Sequence, residues 1–232
     1  QYGFDNPPWD MRGLERFERN AGRRAAILHF GLAWYDGATP QPFPLQAMRN
    51  LHRRGVVPLI DWSSWDRRGT GADDARFALR RIIAGDHDRA IRRWARAARR
   101  YGRPFFLRFD HEMNGDWYPW SERRNGNRPG EYRRAWRHVH AIFDEVGSRN
   151  VTWVWSPNVI YRGATPLRRL YPGGDVVDWV AVDGYNWGSV PGRRPDAWRP
   201  LATLFGPSYR ALRRLAPSKP IMIAEVASTE HG

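Results

Sequence analysis

The stretch Phe105-Phe106-Leu107-Arg108-Phe109-Asp110-His111-Glu112-Met113-Asn114-Gly115-Asp116-Trp117-Tyr118-Pro119-Trp120 changes character three times. Its first five residues, led in by Pro104, read as a short buried strand. A dense polar group, His111-Glu112-Met113-Asn114, follows at once, and Asn114-Gly115 is a turn signal. An aromatic shelf, Trp117-Tyr118-Pro119-Trp120, closes the stretch.

The flanks have a helix–strand rhythm. Upstream, Ile91, Trp94, Ala95 and Ala98 fall at i, i+3, i+4 and i+7, which predicts an amphipathic helix stopped by Gly102. Downstream, residues 121–130 are charged and turn-rich, so they read as loop. Tyr132, Trp136, Val139 and Phe143 then share a helical face that stops near Gly147, and residues 151–155 form the next strand.

The rest of the chain repeats the rhythm. Strands are predicted at 2–4, 25–34, 56–60, 176–182 and 221–224, and helices are marked by Leu14, Phe17 and Ala21, by Leu45, Met48 and Leu51, and by Tyr209, Leu212 and Leu215. Residues 67–74 and 188–200 read as loops. Short apolar strands alternating with helices give an α/β fold with a parallel sheet. Polar or aromatic residues end nearly every strand: Trp34 and Tyr35, Asp61 and Trp62, His111 and Glu112, Trp155 and Asn158, Asp183 and Tyr185, and Glu225. Chemistry at many strand ends distinguishes a (β/α)8 TIM barrel from a doubly wound sheet with one switch point. The expectation is a single barrel domain over residues 1–232, lacking the last helix and strand, because the chain stops seven residues after Glu225.

Composition narrows the function. The net charge of +14 comes almost wholly from arginine, with Lys219 the only lysine. The arginines form scattered doublets such as Arg53-Arg54 and Arg92-Arg93 rather than one block. They read as solvated helix faces, not as a nucleic-acid interface. No apolar run approaches the roughly 18 residues of a membrane span. Cysteine is absent, which excludes disulfides and thiolate metal sites. There is no GxGxxG or P-loop, and no second histidine follows His111-Glu112 at the spacing of a zinc helix. No metal or cofactor is expected.

Thirteen tryptophans and two strand-ending glutamates point the other way. An acid beside indole faces suits sugar chemistry: the acid protonates a glycosidic oxygen and the indoles stack on pyranose rings. Alternation along a strand puts Phe106, Arg108, Asp110 and Glu112 on one face, and Ile221, Ile223 and Glu225 on one face of the last strand. If both faces point inward, Arg108 reaches Glu225 and keeps it ionised, and the charge on Glu225 favours a protonated Glu112. Asp183 reads equally as a sugar ligand or a strand-end cap, and His29 as a packing or surface residue.

The string His111-Glu112-Met113-Asn114-Gly115 with Trp117-Tyr118-Pro119-Trp120 resembles the acid/base strand of glycoside hydrolase family 26, and Ile223-Ala224-Glu225 resembles its nucleophile strand. Residues 177–187 resemble its strand six. The resemblance implies a retaining endo-β-glycanase acting by double displacement on β-mannan or mixed-linkage β-1,3-1,4-glucan, and a monomer is expected. It implies Glu112 as acid/base, Glu225 as nucleophile, His111 orienting Glu112, and Tyr185 bonding Glu225. Trp117 and Trp155 would line the central subsites with Asn158 nearby. Trp62, Trp120 and Trp187 are further candidate sugar platforms, and Arg108 completes the substrate-side set. Tyr118-Pro119 is similar to the family's mixed-linkage glucanase branch rather than its mannanases. The competing classes are a sugar-binding barrel that no longer cuts and, on charge alone, a nucleic-acid binder. The expected partner is a polysaccharide or oligosaccharide, with no nucleic acid and no membrane, and the extracellular location follows only from the size of such polymers.

Overall fold

The computed structural model describes residues 10–69, 71–189 and 198–230. Its elements are α1 (Arg12–Ala21), β1 (Ile27–Asp36), β2 (Thr39–Pro40), α2 (Leu45–Arg53), β3 (Val57–Asp66), α3 (Leu79–Ile83), α4 (Asp88–Tyr101), β4 (Phe105–Phe109), α5 (Glu131–Val146), β5 (Val151–Trp155), α6 (Leu167–Leu170), β6 (Trp179–Asn186), α7 (Leu201–Leu215) and β7 (Ile221–Ser228). They build one sheet of order β2-β1-β3-β4-β5-β6-β7. Every pairing is parallel except the β1–β2 hairpin, whose Gly37-Ala38 turn places Gly37 at φ 65°. Six parallel strands are therefore described, and the seventh member of the sheet is this antiparallel hairpin strand. The strand expected at 2–4 lies outside the described residues.

The central strands β3 to β6 are apolar on both faces because both are covered. One face holds Leu59, Val154 and Ala181 with Phe106, Trp179, Met222 and Ala224. The other packs Ile60, Trp62, Leu107, Phe109, Trp153, Trp155, Val180 and Val182 into the large core shared with the helices. Trp94 of α4, Trp136 and Phe143 of α5, and Leu212 of α7 are the helical side of that core. The helices therefore lie on one side of the strands, as a barrel wall requires.

The inner face continues upward in polar residues. Asp61 on β3 is the register partner of Arg108 on β4, and Asp183 on β6 is that of Glu225 on β7. β7 does not alternate simply. Val182 pairs with Ile223 and Asp183 with Glu225, so Ala224 is an extra residue. This bulge turns Glu225 towards the inner face, while Ile223 goes to the outer face, where it is 46% exposed. The expectation that Ile223 and Glu225 share a face is therefore corrected. Among the described residues β7 is one edge of the sheet.

Strand six begins at Trp179 rather than at 176, because Asp178 is tied to β5: its amide donates to the Trp153 carbonyl at 3.0 Å and its carboxylate accepts from the Trp153 amide at 2.8 Å. The short helices α3 and α6 and the single turn Ala75–Phe77 were not expected from the sequence. No helix among the described residues is long and apolar enough to cross a membrane.

Candidate active site

Arg108 is the centre of the strand-end cluster and is wholly buried. Its Nε and Nη2 grip the two oxygens of Asp61, the Nη2 bond being 2.5 Å. Its Nη1 donates to Asp183 at 2.6 Å and to the Ser156 hydroxyl at 3.3 Å. Its Nη2 also donates to Glu225. A guanidinium can hold three carboxylates at once because its five N–H groups form a rigid fork. His29 on β1 completes the group, with Nε2 2.5 Å from Asp61 Oδ2.

Three acids around one cation cannot share its charge equally. Burial raises Asp61, but the Arg108 guanidinium and His29 outweigh it, and Asp61 is held below the usual carboxylate range. Burial pushes Asp183 well above that range despite Arg108, aided by the nearby charge of Glu225. Among the described residues Asp183 Oδ2 has no hydrogen-bond partner. Burial also raises Glu225, yet Arg108 and the Tyr185 hydroxyl, which donates to Oε2, bring it below its ordinary value.

Glu112 stands in different surroundings. The chain leaves β4 through Asp110 at φ 44° and reaches Glu112 at φ 52°. Both are left-handed conformations that side-chain-bearing residues adopt only when held there. Asp110 is held by Ser64, whose amide and hydroxyl each lie 2.7 Å from its carboxyl oxygens. The Glu112 amide donates to the Ser156 carbonyl at 2.7 Å. Its carboxyl is buried and accepts from Trp117 Nε1 and Asn158 Nδ2, both at 2.7 Å. Burial raises Glu112, and these two hydrogen bonds only partly oppose it. Among the described residues no cation bonds it directly. Asn158 is itself fixed by a two-way bond with Asn114, at 2.8 and 2.9 Å. Gly115 is required because a Cβ there would lie 2.5 Å from the Trp117 ring.

The expected residues divide into two sets. Glu112, Trp117, Asn158, Arg108, Tyr185 and Glu225 are joined by the bonds above. Trp117 is 41% and Trp187 37% exposed, and Trp187 stacks on Tyr185 at 5.3 Å, so both present ring surface. His111 makes no side-chain bond to Glu112 among the described residues. It packs edge-on against Tyr118 at 5.0 Å, its Nδ1 is buried without a partner, and burial beside Arg108 lowers it to about 4. Trp62, Trp120 and Trp155 are buried to within 3% and offer no face to a sugar. Trp62 stacks on Trp94, Trp155 meets Tyr171, and Trp120 Nε1 donates to the His111 carbonyl at 2.6 Å. Trp62 and Trp155 fail as platforms because each sits one residue from an inner-face position, Asp61 and Ser156, and so points to the helices. Sequence reasoning missed the ion-pairing roles of Asp61, Asp183 and His29: it reads Asp61 as a strand end, Asp183 as a sugar ligand or strand-end cap, and His29 as a packing or surface residue. A buried arginine inside an apolar strand was the signal that could have found them, since it needs carboxylates around it.

His29, Asp61 and Glu225 have donor atoms within 4.8 Å of one another, as a metal site would. The set does not fit a cation, because Arg108 Nη2 already bonds both carboxylates and lies 3.5 Å from His29 Nε2.

Two acids at the inner ends of parallel strands, Glu112 buried and raised and Glu225 half-buried and lowered, are an arrangement that can give and take a proton at the sheet's top. Residues 64–226 match the model of Glycosyl hydrolase family 26, and the chain belongs to that family. It is 34% identical over 225 residues to endoglucanase H of Acetivibrio thermocellus, an alignment covering 94% of this chain and 23% of the relative. It is 38% identical over 81 residues, 33% of this chain and 15% of the relative, to mannan endo-1,4-beta-mannosidase A and B of Caldalkalibacillus mannanilyticus. The chain thus spans less than a quarter of the length of either relative. The solved structure of a GH26A from a Muricauda species superposes with TM-score 0.70 at 18% identity, covering 97% of this chain and 74% of that one, and shows the shared barrel fold.

Proposed function

We propose that the chain is the catalytic barrel of a retaining endo-β-glycanase working by double displacement. The observation that carries the reading is the opposite treatment of two buried carboxyls. Glu225, half-buried, is paired with Arg108 and lowered below its ordinary value, while the buried Glu112 has no such partner and is raised by burial, which favours its protonated form. Glu112 gives that proton to the glycosidic oxygen as Glu225 attacks the anomeric carbon. The sugar–Glu225 ester is then hydrolysed by a water that Glu112, now a carboxylate, deprotonates. Arg108 and Tyr185 hold the nucleophile, Trp117 and Asn158 hold the acid, and the exposed rings of Trp117 and Trp187 carry sugar. The chain needs no metal for this chemistry.

Between the two substrates, the relatives favour β-glucan, since the endoglucanase alignment covers nearly the whole chain and the mannosidase alignment a third of it. Tyr118-Pro119 supports the same choice, the mixed-linkage form. The test is reducing-sugar release from mixed-linkage β-glucan, mannan and xylan side by side, with Glu225→Ala as control. Release from glucan with retained anomeric configuration, abolished in the variant, is the expected result. Release from mannan alone overturns the substrate, and inverted product overturns the mechanism. Oligosaccharide binding without release favours a sugar-binding barrel.

A further inference from the structure

The helix side of the sheet carries a cleft of about 780 Å³, lined by α2, α4 and the segment before α2. It lies across the wall from the Arg108 cluster, since its Trp94 packs on Trp62, which points to the helices. Arg49 and Arg53 of α2, Arg93 and Arg100 of α4, and Arg103 surround it, all exposed. No acidic residue lines it.

The arrangement follows from helical spacing. Arg93, Ala97 and Arg100 stand at i, i+4 and i+7, and Arg49, His52 and Arg53 at i, i+3 and i+4, so each helix turns one basic stripe to the cleft. α2 contains no acid at all. The acid of α4, Asp88, is engaged elsewhere, 2.7 Å from His138 of α5, and Arg92 is met by Glu145 at 2.5 Å. The α5 side of α4 is thereby neutralised and the α2 side is not. Among the described residues the cleft arginines bond only neutral oxygens, Arg53 to Asn50 at 2.5 Å and Arg93 to the Pro40 carbonyl at 3.2 Å. Phe43, Trp94 and Tyr101 form an aromatic floor, with Phe43 4.9 Å from Trp94 and 5.6 Å from Tyr101.

We propose that this cleft is an accessory site for an acidic polysaccharide, a chain bearing uronate carboxylates. Guanidinium forks match carboxylates in two-point bonds, and an apolar floor takes the C–H face of a sugar ring. Like charges clustered this closely repel one another until an anion arrives. A nucleic-acid duplex is the poorer fit. It needs a continuous basic stripe, whereas the arginines beyond this cleft are broken up by pairing with Glu15, Asp36, Asp74 and Asp86. The choice of a glycan rests on the polysaccharide reading above, but binding is measured without hydrolysis, so the two fail separately.

The experiment is affinity electrophoresis and calorimetry of the whole chain with polygalacturonate, neutral mannan and duplex DNA of matched charge concentration. The site variant is Arg49→Ser/Arg93→Ser/Arg100→Ser. The control, Arg133→Ser/Arg149→Ser/Arg213→Ser, removes the same charge from exposed positions elsewhere. All of these arginines are exposed, and thermal melts check that both variants fold. Polygalacturonate retards the wild type, and the site variant loses about tenfold in affinity while the control loses less than about twofold, since dispersed charges are screened. Equal loss in both variants, no retardation by polygalacturonate, or tighter binding of DNA each overturns the proposal.

Discussion

Asp183 and Glu225 face each other across β6 and β7 and bond different nitrogens of one guanidinium, that of Arg108. Only one of them can be the stable anion beside Asp61, and the pairing selects Glu225: it is lowered while Asp183 is raised. On the proposed mechanism, in which Glu225 is the nucleophile, Arg108 therefore acts on that charge and on the integrity of the barrel top together. Arg108→Met leaves Asp61 and Glu225 buried without their cation. We expect a loss of about 3–5 kcal/mol of stability and, in the protein that remains folded, about 100-fold lower kcat. Arg108→Lys restores one charge but not the fork, and should recover stability better than activity. Urea melts read beside initial rates check this, and an Arg108→Met protein with normal kinetics ends the role assigned to it.

The pH profile follows from the same two carboxyls. The proposed mechanism needs Glu225 ionised and Glu112 protonated. Glu225 is lowered, so the acid limb of kcat/KM lies below the ordinary glutamate range; Glu112 is raised, so the alkaline limb lies above it. Glu112→Gln removes the alkaline limb and costs about 100- to 10,000-fold with a poor leaving group. A dinitrophenyl glycoside, whose leaving group needs no proton, is spared in the first step. Equal losses on both substrates would count against Glu112 as the acid.

Trp117→Phe keeps the ring but deletes the N–H that lies 2.7 Å from Glu112. That bond stabilises the ionised carboxyl, so its loss raises Glu112 further and moves the alkaline limb upward. A hydrogen bond to a charged group contributes about 1.5–3 kcal/mol, enough for the upward movement of the alkaline limb to be measured. A profile unmoved in Trp117→Phe would show that the bond does not reach the reacting state.

How much of this was legible in the sequence depends on which residues carried a pattern. The strand at 105–109 and the helices on either side were, because Pro104, Gly102 and Gly147 punctuate them and period 3.6 is strong in α4 and α5. Glu112, Glu225 and the reach of Arg108 were, because charge at the end of an apolar strand has few explanations. The face of each tryptophan was not. Strands covered on both sides carry no polar–apolar alternation, so nothing marks Trp62 and Trp155 as outward. The bulge at Ala224 was equally silent: a bulge is a property of two strands in register.

Those tryptophans supply a prediction of their own. Trp155 is fully buried and packs on Tyr171, so Trp155→Ala should lose about 3–5 kcal/mol by cavity formation. Trp187 is exposed and rests on Tyr185. Trp187→Ala should leave the melting temperature within about 2 °C, because exposed positions contribute little to stability, while KM for polymer rises several-fold. Calorimetry and steady-state kinetics on the pair separate core from sugar platform, and a reversed pattern would reassign both residues.

Asp110 carries the last prediction. It is a fully buried acid whose carboxyl, among the described residues, is hydrogen-bonded by Ser64 alone and pairs with no cation, and burial raises it well above its usual range. The folded state therefore holds a proton that the unfolded state releases at lower pH. Between the unfolded and folded values the folded chain binds more protons, so this group's contribution to stability falls as pH rises. Asp110→Asn imitates the protonated acid, can keep both bonds to Ser64, and suits the left-handed backbone at φ 44°. It should match the wild type at acidic pH and exceed it at neutral and alkaline pH, with Glu112 still in place and activity within about threefold, since a near-isosteric neutral replacement leaves the turn unchanged. Denaturant midpoints measured across pH decide the matter: a variant less stable than wild type at every pH would show that Asp110 is ionised in the fold and that its charge is needed there.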